Sequence, residues 1–517
     1  MRQHISILMI VLAISLAGCQ QTKQPTQRKT ITLNLQEGDP PTLHPYMGVD
    51  LRSRCLFLTL FEPLMRNDAQ GELKPAAAQS VEIDSSQTVY TFHIRPHKWS
   101  DGTPVTSFHF EKGWKYALTP GTPCFRTDLF YPIKNAEKVK KGELPLEALG
   151  IHAPNPETLV VTLEHPTPYF LDLTATSFFA PLYEAAEAEP KHFNGPYIVK
   201  QWTHDQALVL EANPNYWDTD SLHVQEICFT MVRDPSTAFA LFEKGDLDLV
   251  GDPFSPLPFD MIPSLEKTGD LQKKTISRIF YLLLNTDTPP LNVKSFRRAL
   301  SLCIDRELLT QHLFFGEVPT VTSLPRTLSG LNEKEIGLYT QDPKKLFEQA
   351  LKELGTDREH FPTIVLSYAE LSGQKKLAEF IQEQWKEKLG IKVDLMCNEW
   401  NVHSANLRKG NYQIGTLHLT TLYQDPMFYF DLFRDKKSLC NYCKWENPQF
   451  KALLEASEQT CDSVERRRYM QEAERQLLEE MPVIALFTQN LQYLMQDRIN
   501  LEISNLGIYD FKNSTAR

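Results

Sequence analysis

The sequence contains no motif typical of a nucleophilic hydrolase, a zinc peptidase or a nucleotide-binding enzyme. The patterns G-x-S-x-G, H-E-x-x-H, G-x-x-x-x-G-K-[ST] and G-x-G-x-x-G do not occur, and the 14 histidines are scattered along the chain. No segment after the first twenty residues is long and apolar enough to cross a membrane. The formal net charge of −11 argues against a broad nucleic-acid-binding surface. These absences favour a binding protein over an enzyme, with no cofactor and no metal site.

The composition is that of a folded protein with several domains. Hydrophobic residues make up 42% and charged residues 23% of the chain, so a sizeable core can form. A length of 517 residues, at roughly 150 residues per domain, predicts about three domains. The 34 prolines indicate many turns and interrupted elements rather than long helical bundles.

The N-terminus has the pattern of a secretory signal. An apolar run from Ile5 to Leu16 follows a basic start and ends in small residues, Leu16-Ala17-Gly18-Cys19. This ending resembles a bacterial lipobox, which implies cleavage before Cys19, diacylation of its thiol (the palmitate type of anchor) and acylation of its amine. The alternative is an ordinary cleaved signal with an incidental cysteine. Residues 1–18 are then the signal peptide and residues 19–29 a polar tether.

Eight further cysteines follow Cys19, and export makes disulfides available to them. Cys440 and Cys443 form a C-x-x-C pair, but a second pair with zinc-like spacing is missing. We expect a local disulfide or two free thiols here rather than a redox or metal site. Connectivity does not follow from the sequence.

Strand and helix patterns alternate along the chain. Residues 88–95 place Tyr90, Phe92 and Ile94 on one face of a half-buried strand, and residues 158–166 have the same period of two. After a turn at Asp101-Gly102, a short helix is expected to carry Phe108, Trp114 and Leu118.

The second half of the chain gives clearer signals. Helices capped by aspartate and closed by glycine are predicted within 234–252 and 342–355. Residues 363–395 read as strand, helix, strand with short connections, which predicts a right-handed crossover and a parallel strand pair. A long helix at 463–482 precedes another strand, and its run of arginines at 466–468 is expected to be a solvated face. Mixed α/β domains follow from these patterns.

Four collinear regions carry recognisable strings, namely LFEPLMRNDAQGELKPAAAQS with TVYTFHIRPHKWSDGTPVTSFHF (60–80 and 88–110), NGPYIVKQWTHDQALVLEANPNYWD (194–218), YLLLNTDTPPLNVKSFRRALSLCIDRELL (281–309) and TLYQDPMFYFDLF (421–433). Together they resemble the oligopeptide-binding protein family, the extracytoplasmic solute-binding lipoproteins of peptide ABC importers. The resemblance implies an α/β, two-lobed periplasmic-binding-protein fold with an additional domain inserted in the first lobe. Carried onto this chain, the first lobe comprises 30–66, 190–275 and 490–517, the inserted domain 67–189, and the second lobe 276–489.

The resemblance also implies a function. Short peptides would be captured between two hinged lobes and delivered, chemically unchanged, to a membrane permease. The chain would be a monomer, anchored through Cys19 on the periplasmic side of the bacterial cell envelope. Alternatives are the same fold with another ligand, such as a murein peptide, a nickel chelate, haem or a sugar. An anchored hydrolase, or a surface interaction protein that has lost uptake, is a more distant alternative.

Candidate ligand-binding residues follow from the same resemblance. They lie in the second lobe, apart from one position in the first: Trp400, Glu399, Leu422, Tyr423, Asp425, Thr420, Arg408 and Val49. Trp400 matches a family residue that flanks a side-chain pocket, and the aromatic stretch 421–433 is expected to line the cleft in part. Core packing is the alternative for this stretch. Arg408 is adjacent to Leu407, where relatives carry an arginine.

One position departs from the family pattern. Peptide receptors of this family usually have an aspartate three residues before the acid of the acid–proline pair, where it binds the α-ammonium of the peptide. Counting back from Asp425 reaches Leu422, which cannot balance that charge. Either another acid, with Asp425 nearest, takes over this role, or the ligand lacks a free amine there. Asp425 is equally expected to be a structural cap before Pro426.

Overall fold

The computed structural model describes residues 29–332, 336, 340–438, 440–460 and 462–517. The predicted signal peptide, the predicted lipidation site Cys19 and the predicted tether up to residue 28 lie outside the described residues. Within the described ranges, no helix combines the length and the apolar character that a bilayer span requires.

The strands, in chain order, are β1 (Thr30–Asn34), β2 (Met65–Asn67), β3 (Leu73–Pro75), β4 (Ala78–Ile83), β5 (Val89–Ile94), β6 (Ile151–Asn155), β7 (Thr158–Thr162), β8 (Tyr197–Thr203), β9 (Ala207–Ala212), β10 (Glu226–Thr230), β11 (Leu249–Gly251), β12 (Gln272–Leu284), β13 (Val318–Pro319), β14 (Ile364–Ala369), β15 (Val393–Asn398), β16 (Ile414–Thr420), β17 (Val483–Met495), β18 (Ile499–Ile503) and β19 (Tyr509–Ala516).

The α-helices are α1 (Leu51–Leu60), α2 (Ser107–Leu118), α3 (Ala136–Lys140), α4 (Phe170–Leu173), α5 (Pro235–Glu243), α6 (Ile262–Thr268), α7 (Lys294–Leu302), α8 (Arg306–His312), α9 (Pro343–Leu354), α10 (Gln374–Leu389), α11 (Trp400–Lys409), α12 (Met427–Phe430), α13 (Pro448–Gln459) and α14 (Ser463–Glu480).

Three larger sheets organise these elements. The first has the order β1-β10-β9-β8, with β1 parallel to β10. The antiparallel sheet β4-β5-β7-β6 is formed by chain that leaves the first sheet after β1 and returns to it at β8. The third sheet has seven strands, β11-β17-β12-β16-β14-β15 with β13 beside β17. The architecture is a two-lobed α/β fold with an additional domain inserted in the first lobe.

Two long strands connect the parts of the molecule. β12 and β17 each span thirteen residues and pair antiparallel from Gln272↔Tyr493 to Leu283↔Val483, with register shifts on the way. At one end β17 also pairs with β11, which follows the last strand of the first sheet. The same two strands therefore run from the first lobe into the centre of the second, which is the position of a hinge.

The predicted strand–helix–strand unit is confirmed. β14 and β15 are parallel neighbours, with Ile364↔Val393 through Ala369↔Asn398 in register, and α10 connects them. One face of this helix is buried, through Leu377, Ile381, Trp385 and Leu389, and Phe380 beside them is partly buried. Trp385 donates a hydrogen bond from Nε1 to the carbonyl of Leu300 at 2.9 Å, which satisfies its polar group inside the core.

The other local predictions are confirmed with small differences. β5 buries Tyr90, Phe92 and Ile94, as its period of two requires. Asp342 caps α9, accepting a hydrogen bond from the Lys344 backbone N–H, and Gly355 ends the helix with φ +65°. The predicted short helix is α2, and it carries Phe108, Trp114 and Leu118 as expected. Trp114 and Leu118 are buried, whereas Phe108 is 45% exposed.

The Asn-Gly-Pro-Tyr string at 194–197 has a structural role. The Asn194 side chain accepts from the Glu62 backbone N–H and donates to the Glu62 carbonyl, both at 3.0 Å. A Cβ at Gly195 would lie 2.5 Å from the carbonyl carbon of Leu60, so the two backbones meet where only glycine fits. This string therefore fastens the start of β8 to the end of α1.

The seven cysteines within the described ranges are all free thiols. Cys440 and Cys443 are among them, so the C-x-x-C pair takes the free-thiol alternative. Burial raises the pKa of the Cys443 thiol to about 12, which keeps it protonated and unreactive at neutral pH.

Candidate functional site

A cleft with a volume of about 1120 Å³ lies among the first lobe, the inserted domain and the second lobe. This volume is large enough for an oligomeric ligand, since drug-sized pockets measure roughly 300–1,000 Å³. Its lining comes from the segment before α1 and its first turn, from the inserted domain, from the approach to β12, and from α11 and β16: Glu37, Pro41, Thr42, His44, Met47, Gly48, Val49, Asp50, Leu51, Arg52, Ser53, Tyr116, Pro123, Phe125, Ala186, Glu187, Ala188, Glu189, Asp252, Pro253, Pro256, Arg278, Trp400, Asn401, Ser404, Arg408, Leu417, His418, Leu419, Thr420 and Tyr442.

The first wall is the N-terminal turn of α1. Asp50 caps this helix, accepting from the Ser53 backbone N–H at 2.9 Å and from its hydroxyl at 2.6 Å. Gly48 lets the preceding chain pass close to the helix, because a Cβ there would lie 2.7 Å from the Phe57 ring. Val49 is left 44% exposed to the cleft. The wall therefore combines a fixed helix end with an exposed apolar residue.

The opposite wall is one face of α11. Trp400, Ser404 and Arg408 are spaced four residues apart, so they lie one above another along the cleft. Glu399 caps the helix, accepting from the backbone N–H groups of Asn401 at 2.8 Å and Val402 at 3.2 Å. Trp400 is 40% exposed, which is unusual for a tryptophan and leaves a ring face for a ligand.

The floor between the walls carries a cation on β12. Arg278 is directly opposite Thr420 of β16 and donates from Nε to its hydroxyl at 2.8 Å. Burial, reinforced by the charge of Arg278, lowers the pKa of His418 to about 3, so this neighbour is neutral at physiological pH. Burial raises the pKa of Asp252. Arg278 therefore places a guanidinium at the floor, next to a neutral imidazole.

The structure brings four of the eight predicted ligand-binding residues to the cleft: Trp400, Thr420, Arg408 and Val49. Glu399 is adjacent, and its carboxylate is occupied by the cap of α11. These positions come from both lobes, as a ligand held between them requires. Contact with a ligand remains a prediction for each.

The other three predicted residues lie away from the cleft. Tyr423 is buried and stacks on Tyr169 of the inserted domain, with ring centroids 5.3 Å apart. Asp425 accepts from the Met427 backbone N–H at 2.9 Å and forms a salt bridge with Arg466 at 2.9 Å, so it is a structural cap. Leu422 lines a separate small cavity.

The aromatic stretch 421–433 is core in the structure. Its aromatic side chains are all in the main hydrophobic cluster, together with residues of the inserted domain. The expectation of a solvated face at 466–468 is wrong for Arg466, because its side chain reaches back to Asp425 and is only 16% exposed. The stretch therefore joins the second lobe to the inserted domain instead of lining the large cleft.

Several cleft residues were not singled out from the sequence. Phe125 and Tyr116 come from the inserted domain, Arg52 from α1 and Arg278 from β12. Only Arg278 had a usable signal, because a charged residue precedes the apolar run IFYLLL of a buried strand. Arg52 is paired with Glu37 at 3.2 Å.

Comparison with known proteins gives one consistent family. The model of "bacterial extracellular solute-binding proteins, family 5 Middle" matches residues 72–439. The oligopeptide-binding protein OppA of Bacillus subtilis is 33% identical over 512 residues, covering 94% of this chain and 94% of that protein.

Solved structures agree on the fold. OppA of Burkholderia pseudomallei superposes with a TM-score of 0.81 at 24% identity, covering 95% of this chain and 99% of the other. OppA of Listeria monocytogenes bound to peptide superposes with a TM-score of 0.79 at 26% identity, with coverage of 95% and 99%. Because the family model spans more than half of the chain and a relative at 33% identity covers nearly all of it, this chain belongs to the bacterial extracellular solute-binding proteins of family 5 and is a binding protein, not an enzyme.

Proposed function

We propose that the chain captures short peptides in its interlobe cleft and delivers them unchanged to the permease of an ABC importer. The observation that carries this proposal is the cleft of about 1120 Å³, which has walls from two lobes joined by β12 and β17. The proposal is supported by the relatives, since the Bacillus subtilis protein is named for oligopeptide binding and the Listeria monocytogenes structure contains a peptide.

The cleft chemistry suits a short peptide. Trp400 and Phe125 offer exposed aromatic surface to varied side chains. Arg278 and Arg408 supply guanidinium groups for carboxylates, and Glu187 lines the same cleft as a partner for cations. A peptide lying extended must also satisfy its backbone groups, because each one left unpaired costs about 1–3 kcal/mol.

Among the predicted residues, we assign direct ligand contact to Trp400, Arg408, Thr420 and Val49. Glu399 acts indirectly by fixing the start of α11 and hence the position of Trp400. Leu422, Tyr423 and Asp425 support the interface between the second lobe and the inserted domain.

Capture and release follow from the hinge. A ligand that touches both walls binds the closed arrangement better than the open one, and only this difference shifts the equilibrium. The permease then recognises the closed receptor, and opening at the membrane releases the peptide. No covalent bond changes at any step.

Mass spectrometry of small molecules released from denatured protein tests this proposal. The protein is purified without added peptide, and we expect a heterogeneous set of short peptides. A single non-peptide species, found reproducibly, would overturn peptide capture and favour a receptor for another solute. A Trp400→Ala preparation is the matched control, because it should release less peptide from the same amount of folded protein.

We also propose that the mature chain begins at Cys19 and is held to the membrane by lipid on that residue. Two or more acyl chains give stable anchoring, at about 0.8 kcal/mol per buried CH₂ group. Mass spectrometry of the N-terminal peptide should show the acyl mass, and Cys19→Ala should release the protein from membranes. An unmodified N-terminus in membrane-bound protein would overturn the anchor.

The domain boundaries given above and a monomeric state complete the proposal. The sheet order supports those boundaries, because strands of the inserted sheet all fall within 67–189. Sedimentation equilibrium should give the mass of one chain, and limited proteolysis should cut between the proposed units. A concentration-dependent dimer mass would contradict the monomer.

A further inference from the structure

A second, much smaller cavity lies directly behind the cleft wall. Its volume is about 30 Å³, enough for about two water molecules or one carboxylate group. Residues Leu51 to Ser53 line the large cleft, and the next residue of α1, Arg54, lines the small cavity. In the same way Thr420 lines the cleft and Leu422 the cavity.

The Arg54 guanidinium in this cavity has no anionic partner. Arg54 is 5% exposed, and its Nη1 has no hydrogen-bond partner among the described residues. None of the salt bridges found in the described chain includes it. Burial, together with the charges of Arg278 and Arg126, lowers its pKa to about 10, so it is still a cation at neutral pH.

The other charged side chains that line the cavity have partners of opposite charge. Arg66 forms salt bridges with Glu62 at 3.0 Å and with Asp510 at 2.8 Å. Asp68 accepts from two backbone N–H groups and lies 3.5 Å from Lys74. Because two acids face Arg66, the charges of this group and of Arg54 sum to zero. Arg54 is nevertheless the charged side chain of this lining that has no acid in contact with it among the described residues.

The position of Arg54 in its helix adds to the cost. It lies in the first turn of α1, where the helix dipole favours anions and disfavours cations. Cys55 and Asp50 are the acidic groups that would favour the charged form of Arg54. Burial raises the pKa of the Cys55 thiol to about 12, so it is neutral, and the Asp50 carboxylate is committed to capping the same helix. A buried cation without a partner is costly, and an anion from outside the chain would offset that cost.

One further polar group faces the cavity without a partner. The Oδ1 of Asn67 is buried and unpaired among the described residues. Rotating that amide by 180° presents its NH₂ group instead, which donates to an anion beside Arg54. In its present orientation Asn67 would share a bridging water with Arg54, which makes water the competing occupant.

We propose that the Arg54 cavity is an anion subsite that takes one carboxylate-sized monovalent anion. The anion has two possible sources: a carboxylate of the bound ligand, or a free ion such as chloride. Occupation of the cavity by a ligand carboxylate rests on the proposed function, whereas occupation by a free ion does not. The small volume and the single unpaired Nη1 of Arg54 limit the occupant to one small anion.

Titration with small anions tests the subsite. The full mature chain is stripped of ligand in denaturant and refolded. Sodium formate or sodium chloride is then added at constant ionic strength. Gluconate is the balancing anion, because it is too large for the cavity. We expect a saturable rise in Tm and a calorimetric signal with formate. Arg54→Met should weaken formate binding by about tenfold to a hundredfold. Arg233→Met, which removes a surface cation, is the matched control and should leave it unchanged.

A second variant keeps the test decisive if Arg54→Met does not fold. Leu422→Asp supplies a carboxylate inside the cavity, so it should raise Tm and abolish the formate response. A wild-type response that does not differ between formate and gluconate would overturn the subsite in favour of water. An unchanged formate response in Leu422→Asp would overturn it as well.

Competition separates the two sources. If a ligand carboxylate occupies the cavity, formate should raise the apparent Kd of a peptide with the wild type but not with Arg54→Met. If a free ion occupies it, the peptide Kd should not rise with formate. Peptides released from the purified protein, combined with a flat formate titration, would preserve the proposed function and remove only the subsite.

Discussion

Arg278 and Thr420 are opposed across β12 and β16, and the guanidinium Nε of Arg278 donates to the threonine hydroxyl at 2.8 Å. This contact joins a hinge strand to the second-lobe wall at the floor of the cleft. The hydroxyl fixes the direction of Nε and leaves the rest of the guanidinium fork to a ligand. A carboxylate there would gain a bidentate partner.

We predict that Arg278→Met lowers the affinity for peptides with a free C-terminal carboxylate by about tenfold or more. Isothermal titration with matched acid and amide peptides measures the effect. Thr420→Val is the control: it keeps the cation and removes only the oriented contact, so its loss should be smaller. Equal affinity of the acid and amide peptides for the wild type would contradict this role.

Trp400→Ala should weaken peptide binding while leaving Tm nearly unchanged. The ring is 40% exposed on the first turn of α11, so little buried area is lost in the free protein. Trp385→Ala provides the contrast, since that ring is fully buried and its loss should cost about 3–5 kcal/mol. A large fall in Tm for Trp400→Ala would show that this residue supports the fold instead.

The sequence predicted the local architecture because each element carries its own signals. Three such signals are the apolar face of α10, the Asp342 cap of α9 and the alternating burial of β5. Each depends on residues that are a few positions apart in the sequence. Four of the eight predicted binding residues line the cleft. They could be predicted because they lie in segments whose sequence resembles a known family.

The role of the aromatic stretch could not be predicted in the same way. A row of aromatic residues has the same composition whether it lines a cleft or fills a core, and the stack of Tyr423 on Tyr169 joins residues 254 positions apart. Arg466 and Asp425 are separated by 41 residues, so neither suggests the other. Arg54 carries no local sign that it is buried without a partner.

Removing the Arg466–Asp425 pair should affect stability rather than binding. Both side chains are nearly buried, and Asp425 also caps α12, so Asp425→Ala leaves a buried guanidinium unpaired. We expect a loss of about 3–5 kcal/mol, measured by denaturant unfolding.

A double-mutant cycle isolates the pair from the cap. If Arg466→Met recovers part of the stability lost in Asp425→Ala, the two residues interact directly. Peptide affinity should stay unchanged in the protein that remains folded. A large loss of affinity with intact stability would instead return Asp425 to the binding site.

The pH dependence of stability should carry a contribution from Glu474. Burial raises the pKa of this carboxyl to about 7, although Ser329 donates to it at 2.8 Å. Between about pH 4.5 and 7 the folded state therefore holds a proton that the unfolded chain has lost, so stability falls as pH rises through this range and levels off above it. The shift corresponds to roughly 3 kcal/mol. Glu474→Gln should flatten this slope and raise Tm at pH 8, whereas the exposed Glu472→Gln on the same helix should change neither. An unchanged slope in Glu474→Gln would mean that the carboxyl ionises in the folded state as readily as in water.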